Sequence, residues 1–449
     1  MSRTERMRRE LSAAVRLAAP VALVQLGLML MGVVDTMMLG RVSAEALAAG
    51  ALGHISTIVL LYFGVGTLAA LDPLIAQAFG ARDAEAVGAH LQRGIVLAAA
   101  MAAPFGLLFW NVEPALRGLG QPEAIVGDAA AYARGILWGT PAFLLFVAFR
   151  QTLQSMSVVR PAAVAIVVAN VLNVLGDYAL IFGHFGLPAL GVAGSAYATS
   201  ICRWAMFLML LFAGRRHLAP YWRGFRAAEA LDLRRHLRLL RLGLPVGLHQ
   251  SIELLFFVTL ALLAGRMGVV QLAGHNIAIN LASLSFMVPL GIAGAAATRV
   301  GNAIGRGDMP GARRAAAICL LLGAGAMLVF AVLFAAIPEP LARLYTADPA
   351  VIAMTALLLP IAAVFQIFDG VQAVAAGILR GAADTTFPAG LAIMGFWIIG
   401  LPASLYLAYR AALGVEGLWW GMNVGLGVVA LMLVIRIAHR FRAAIARTT

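Results

Sequence analysis

Polar residues along this chain cluster in short segments, and between them run long stretches with almost no charge. About 20 mostly apolar residues are enough to cross a bilayer as a helix. Twelve stretches meet that length: 14–38, 46–71, 91–112, 132–155, 162–182, 189–213, 242–264, 272–296, 313–336, 349–376, 387–409 and 413–437. Barrel strands would instead show runs of about ten residues alternating in polarity. The pattern therefore predicts an all-α polytopic membrane protein with 12 transmembrane helices, in which each span satisfies its own backbone hydrogen bonds.

Composition agrees with the pattern. Of 449 residues, 62% are hydrophobic and 12% are charged, against about 25% charged in a soluble domain. A soluble enzyme, a disordered chain and a secreted disulfide scaffold are all disfavoured. The net charge of +13 comes from Arg alone, because the chain has no Lys. Placement gives that charge a meaning. With the N-terminus set in the cytoplasm, 26 Arg fall on the cytoplasmic side. Six fall opposite (Arg41, Arg117, Arg134, Arg266, Arg343 and Arg410), and Arg203 lies inside the sixth span. Such a bias sets orientation. It predicts both termini in the cytoplasm and accounts for the basic balance with no nucleic-acid partner. The first span is too long for the apolar region of a signal peptide and reads as an uncleaved helix. Cys202 and Cys319 lie far apart in apolar stretches and read as small buried hydrophobes, with no disulfide and no metal site.

The polar connection from Arg215 to Arg241 holds eight Arg and divides the spans six and six. The expected organisation is an N-lobe over 1–213, a cytoplasmic linker over 214–240 and a C-lobe over 241–449. An internal repeat supports two pseudo-symmetric six-helix lobes. At an offset of 225 residues, Arg16, Pro20, Gln25, Gly40, Arg41, Gly66, Gly80 and Asp83 meet Arg241, Pro245, Gln250, Gly265, Arg266, Gly291, Gly305 and Asp308. An even number of spans separates the copies, so both halves enter the membrane in the same sense. Parallel repeats of this kind occur in transporters that bind substrate between two halves.

Carboxylates inside a span are costly and are functional candidates by default. Four sit well inside predicted spans: Asp35, Asp177, Glu253 and Asp369. Asn170, Asn173 and Asp177 share one helix face, which could bind a hard cation, relay a proton or join helices by hydrogen bonds. His249 lies one turn before Glu253. Gln366 and Gln372 flank Asp369, and His275, Asn276 and Asn280 add polarity to the eighth span. Asp72 ends the second span and reads as a charge near the interface. The sequence holds no P-loop, no H-E-x-x-H and no G-x-S-x-G motif. It predicts no enzyme, no cofactor and no ATP-driven pumping by this chain alone. An ion gradient is then the expected energy source.

At these residues the chain resembles the multidrug and toxic compound extrusion (MATE) family. The resemblance rests on Pro20 with Val33-Val34-Asp35-Thr36-Met37-Met38-Leu39-Gly40, and on Ala76-Gln77-Ala78-Phe79-Gly80-Ala81. It continues through Gly191-Val192-Ala193-Gly194-Ser195-Ala196-Tyr197-Ala198-Thr199. In the second half it rests on Arg299-Val300-Gly301-Asn302-Ala303-Ile304-Gly305 and Ala375-Ala376-Gly377-Ile378-Leu379-Arg380-Gly381. Glu253 resembles the acid of the NorM-like branch. The resemblance implies export of cationic amphipathic drugs in exchange for H⁺ or Na⁺ by alternating access. It implies a C-lobe coupling site at Glu253 and Asp369, with Na⁺ as an alternative occupant to a proton; Asn276 and Asn280, one turn apart on the eighth span, are added as candidates by their polarity. It also implies an N-lobe cluster of Asp35, Asn173, Asp177 and Thr199. A Tyr expected one turn before the tenth-span acid is Phe365 here, which removes one oxygen ligand for Na⁺.

The expected protein is therefore a monomeric multidrug antiporter of the bacterial inner membrane, with the lipid bilayer and small cationic drugs as its partners. One rival is a lipid-linked glycan flippase of related architecture, which would need a strongly cationic cavity. Others are a polytopic membrane enzyme, which would need a convergent nucleophile or metal set, and a passive channel.

Overall fold

The computed structural model describes residues 3–222, 224 and 230–448, with side chains from residue 5 onward. Part of the expected linker, residues 223 and 225–229, lies outside the described residues. Among the described residues, twelve helices are long and apolar enough to cross a membrane: α1 (Glu5–Leu39), α2 (Ala44–Gly80), α3 (Ala84–Trp110), α4 (Glu123–Ser155), α5 (Arg160–Phe182), α6 (Gly191–Tyr221), α7 (Leu233–Met267), α8 (Val269–Gly305), α9 (Met309–Ala336), α10 (Pro349–Gly381), α11 (Thr386–Arg410) and α12 (Gly414–Arg440). No strand occurs among the described residues. All twelve predicted stretches are helices, and most run longer than their apolar windows.

The duplication is visible in the turns. A short helix follows α3 at Val112–Gly118 and another follows α9 at Pro338–Arg343. Asp83 caps α3 by accepting from the Ala86 amide at 3.0 Å, and Asp308 caps α9 by accepting from the Gly311 amide at 2.8 Å. Each cap satisfies one amide that the first turn leaves without a helical partner. The sixth helix of each half starts on a left-handed glycine, Gly191 at φ 53° and Gly414 at φ 58°. Three residues on, a Cβ at Gly194 would stand 2.4 Å from the Leu180 oxygen, and one at Gly417 would stand 2.5 Å from the Ala408 nitrogen. Glycine is the residue that allows both the turn and the close approach.

The halves also differ for local reasons. α2 is interrupted at Ala69–Ala70 while α8 runs unbroken. Pro73 has no amide to donate and its ring opposes the carbonyl of Ala69; the matching residue in α8 is Thr298. α11 is π-helical over Ile393–Gly400 and Tyr406–Arg410. Pro402 lies between these segments and removes the amide that would close an ordinary turn on Ile398.

Contacts divide the chain into two units, Leu23–Gly247 and Met1–Ala22 with Leu248–Thr449. This division differs from boundaries at 213 and 241, because α1 and α7 each contribute to both units. The exchange comes two residues after Pro20 and Pro245, which are the helix-interior prolines of α1 and α7. In the first unit, Gly135 and Gly139 of α4 seat against Ala196 and Ser200 of α6. In the second, Gly377 and Gly381 of α10 seat against the backbone of Ala293 and Ala297 in α8. Small residues four apart let backbones meet where lipid offers no hydrophobic drive to associate.

Candidate functional site

The first unit gathers its acids between α1, α5 and α6. Asp35 is 6% exposed. It accepts from Asn173 Nδ2 at 3.0 Å and from Thr199 Oγ1 at 2.8 Å. Asp177 is fully buried, its carboxyl adjoins that of Asp35, and neither of its oxygens has a donor among the described residues. Asp35, Asn173, Asp177 and Thr199 are thus one cluster. Asn170 is not part of it: its side-chain amide donates to Ile166 O at 2.8 Å and to Gly27 O at 3.1 Å, joining α5 to α1. Two adjoining buried carboxyls with hydrogen-bond donors to only one of them need a proton or a cation between them.

Arg203 lies in the same unit, close enough to Asp35 to feel its charge. Its guanidinium stands 4.8 Å from the centre of the Phe143 ring, a cation–π contact. Its Nη1 is buried without a hydrogen-bond partner among the described residues. The sequence marked Arg203 as an Arg inside the sixth span, but nothing in the sequence indicated the Phe143 ring beneath it.

In the second unit, Asp369 on α10 is 4% exposed and feels the charge of Glu253 on α7. The Glu253 carboxylate lies 3.8 Å from His249 Nε2. Gln372 Nε2 lies 3.2 Å from the same ring nitrogen, so α7 and α10 are joined by an imidazole. Trp397 of the π-helical segment donates its indole N–H to Ile252 O at 3.2 Å, which steadies α7 beside Glu253. Gln366 donates its side-chain amide to Ser285 Oγ of α8. Phe365 is buried against Phe257 and Trp419 and supplies no oxygen.

Asn276 and Asn280 stand apart from this pair. Asn276 is exposed. Asn280 accepts from the Tyr345 hydroxyl at 2.9 Å, tying α8 to the connection before α10. Partial burial raises the Tyr345 phenol above its ordinary value, so it remains a donor. Among the described residues, neither Asn is hydrogen-bonded or ion-paired to Glu253 or Asp369. Their i, i+4 spacing placed them on one face of α8 but could not say what that face meets. Asp72, expected near an interface, is fully buried. Ser285, Gln372 and Trp397 were not read from the sequence as neighbours of the acids; hydroxyls and indoles are common in membrane helices and carry no motif of their own. Cys202 and Cys319 are both buried and unpaired with each other.

Among the described residues, no three His, Cys, Asp or Glu side chains converge as a metal site. The acids occur in pairs, each of which suits one small cation or one proton.

Comparisons with known proteins bear on the family and the fold. The family model MatE matches residues 20–179 and 245–405. The matched segments begin at Pro20 and Pro245, the offset at which the sequence repeats. The eukaryotic MATE transporter AtDTX14 is similar in fold at a TM-score of 0.88 and 22% identity, over 98% of this chain and 99% of that one. An outward-facing multidrug resistance MATE family transporter of the MOP superfamily aligns at 0.87 and 21% identity, over 97% and 96%. A MOP superfamily transporter from Pyrococcus furiosus, whose binding pocket of reverse polarity suggests a different function, aligns at 0.85 and 21% identity, over 97% and 96%. With each half matched by the same family model and twelve membrane helices among the described residues in the fold those relatives share, this multi-pass membrane chain belongs to the MatE family.

Proposed function

We propose that the chain is a secondary antiporter of the NorM-like branch that exports cationic amphipathic compounds in exchange for H⁺ or Na⁺. The observation that carries this reading is that buried Asp369 on α10 and half-buried Glu253 on α7, 3.8 Å from His249, lie in one unit with no fixed cation among the described residues in hydrogen-bond contact with either. An ionised acid stripped of water and lacking a partner is strongly disfavoured. A mobile cation or proton supplies that partner, and its arrival and departure then bias one conformation over another. Asp35 and Asp177 form a second pair able to hold a proton. Phe365 in place of an oxygen-bearing side chain favours H⁺ over Na⁺ at Asp369.

In this reading the protein works in a bacterial inner membrane with both termini in the cytoplasm. It acts as a monomer without a cofactor, and its partners are the bilayer and small cationic drugs. Efflux of a fluorescent amphipathic cation from everted vesicles tests the proposal, with the pH gradient and the Na⁺ gradient varied separately. Export should follow one gradient and stop when it is dissipated. Export indifferent to both gradients contradicts antiport.

Arg203 supports a second reading. A fixed buried cation suits a substrate with an anionic headgroup, as in a lipid-linked glycan flippase. Transport of an anionic amphiphile that is lost in Arg203→Gln, with cation export unaffected, would favour the flippase.

A further inference from the structure

We propose that His275, Trp419, Asn423 and Gln366 line an internal file of water in the second unit that conducts protons to Asp369. The inference rests on the antiport reading above and deepens it by giving the coupling proton a route.

Four residues on three helices carry it. His275 on α8 is 1% exposed, and neither ring nitrogen has a hydrogen-bond partner among the described residues. Trp419 on α12 is fully buried and its indole N–H is likewise unmatched. Asn423, one turn further along α12, donates to Ile361 O at 3.2 Å while its own oxygen has no donor. Gln366 on α10 donates to Ser285 Oγ, and its oxygen too has no donor.

These groups lie on helices that pack against one another. The His275 and Trp419 rings lie 5.8 Å apart, edge to face. Asn423 joins α12 to α10 at Ile361, five residues before Gln366. Asp369 follows Gln366 by three residues, about 4.5 Å along the helix axis. His275 and Trp419 lie within the first two turns of α8 and α12, at the ends away from the arginine-rich connections. The series therefore runs from that end of the unit towards the buried acid.

A neutral imidazole has one donor and one acceptor, an indole has one donor, and each amide oxygen is an acceptor. Native interiors rarely leave such groups unmatched, and several together mark a wet site. A buried water typically makes about three hydrogen bonds to polar groups of this kind. The four residues include no carboxylate, so water fits them better than a metal ion. The neighbouring helices carry other titratable groups, among them Asp369 and Arg380 on α10, Glu416 on α12, Cys319 on α9, and His249 and Glu253 on α7. None of them is hydrogen-bonded to His275.

Proton transfer along the file needs no other reactant. A hydronium at the His275 end gives up one proton, and each water accepts one and passes one on. The last O–H bond to break delivers its proton to an Asp369 carboxylate oxygen, which becomes the neutral acid. Release reverses the same steps.

Hydroxyl-radical footprinting by X-ray radiolysis of the full chain in nanodiscs tests the file directly, because radicals form where water is. His275 and Trp419 should be oxidised in spite of their burial. Met327, fully buried in the same unit and chemically more reactive, should stay unmodified. Silence at both His275 and Trp419 overturns the proposal. Wild-type protein suffices for this arm, so it does not depend on a variant folding. In proteoliposomes, His275→Phe and Trp419→Phe should slow proton-driven export by about tenfold, the loss of one hydrogen-bonded link in the proton step. Equilibrium binding of the fluorescent cation should be unchanged. Full proton-driven rates in both variants would also overturn the file. If His275 and Trp419 are labelled but Asp369→Asn still couples normally, the antiport reading at Asp369 fails while the water file stands.

Discussion

The two units share a scaffold and differ in chemistry. Prolines at 20 and 245, aspartate caps at 83 and 308, and left-handed glycines at 191 and 414 recur in both halves. The acids do not. At the repeat offset, Asp35 corresponds to Leu260 and Glu253 to Leu28. In the first unit the central acid, Asp35, is held by two side-chain donors and adjoins a second acid that has none. In the second, Asp369 on α10 and Glu253 on α7 have no side-chain donor in common among the described residues, and His249, 3.8 Å from Glu253, bridges to α10 through Gln372. The duplicated part thus fixes where helices turn and meet. Polar side chains placed afterwards at unmatched positions decide what each half does.

The strongest way to break this comparison is to neutralise the acids of one unit. Glu253→Gln and Asp369→Asn should each reduce gradient-driven export to the level of vesicles lacking the protein, with the protein still present in the membrane. Export assays beside a membrane immunoblot check this.

Scaffold substitutions should act on both units alike. At Gly139 a Cβ would stand 2.6 Å from Ser200 Cα, and at Gly377 it would stand 2.4 Å from Ala293 O. Gly139→Leu and Gly377→Leu should each cost more than the ~1–3 kcal/mol typical of overpacking, because backbone rather than a side chain blocks the space. Gly325, with nothing within 4 Å, is the matched control. Yield and monodispersity in detergent report the difference.

Within the first unit the two acids should separate. Asp35→Asn places an amide where two donors converge and should lower stability by about 1–3 kcal/mol. Asp177→Asn replaces a carboxyl that has no donors and should be nearly silent in a melting experiment. The smallest effect is expected at Asn170→Ala, which loses the link to Gly27 O; interhelical hydrogen bonds of this kind average about 0.6 kcal/mol. Its export should be normal, which would separate α5 as glue from α5 as part of the acid cluster.

Much of this was legible in the sequence, and the rest was not for definable reasons. Twelve spans follow from hydropathy because a bilayer leaves the backbone no alternative to helices. The repeat shows because Pro, Gly and capping Asp act through the backbone and must recur wherever the same turn recurs. The Asp35–Asn173–Asp177–Thr199 cluster came from a resemblance together with helical spacing. Spacing alone grouped Asn170 with it, since period 3.6 tells which residues share a face and not which neighbour that face meets. Asn276 and Asn280, grouped with the Glu253 pair on their polarity, make no hydrogen bond to it among the described residues, and Asn280 bonds Tyr345 instead. The two-unit division could not be read from the linker, because α1 and α7 change partners within a span and no polar break marks the change. The water-lining residues were invisible as a group. Gln366, His275 and Asn423 lie in different helices, and only their missing partners connect them.

The most direct test of the central claim is cation displacement by the purified protein. A saturating fluorescent amphipathic cation is added in weakly buffered detergent, and released protons are followed with a pH dye while ²²Na⁺ release is followed in parallel. Wild-type protein should release H⁺ or Na⁺ on binding the probe, and Glu253→Gln/Asp369→Asn should bind the probe with no release. Equal release from the double variant, or none from the wild type, would contradict the account.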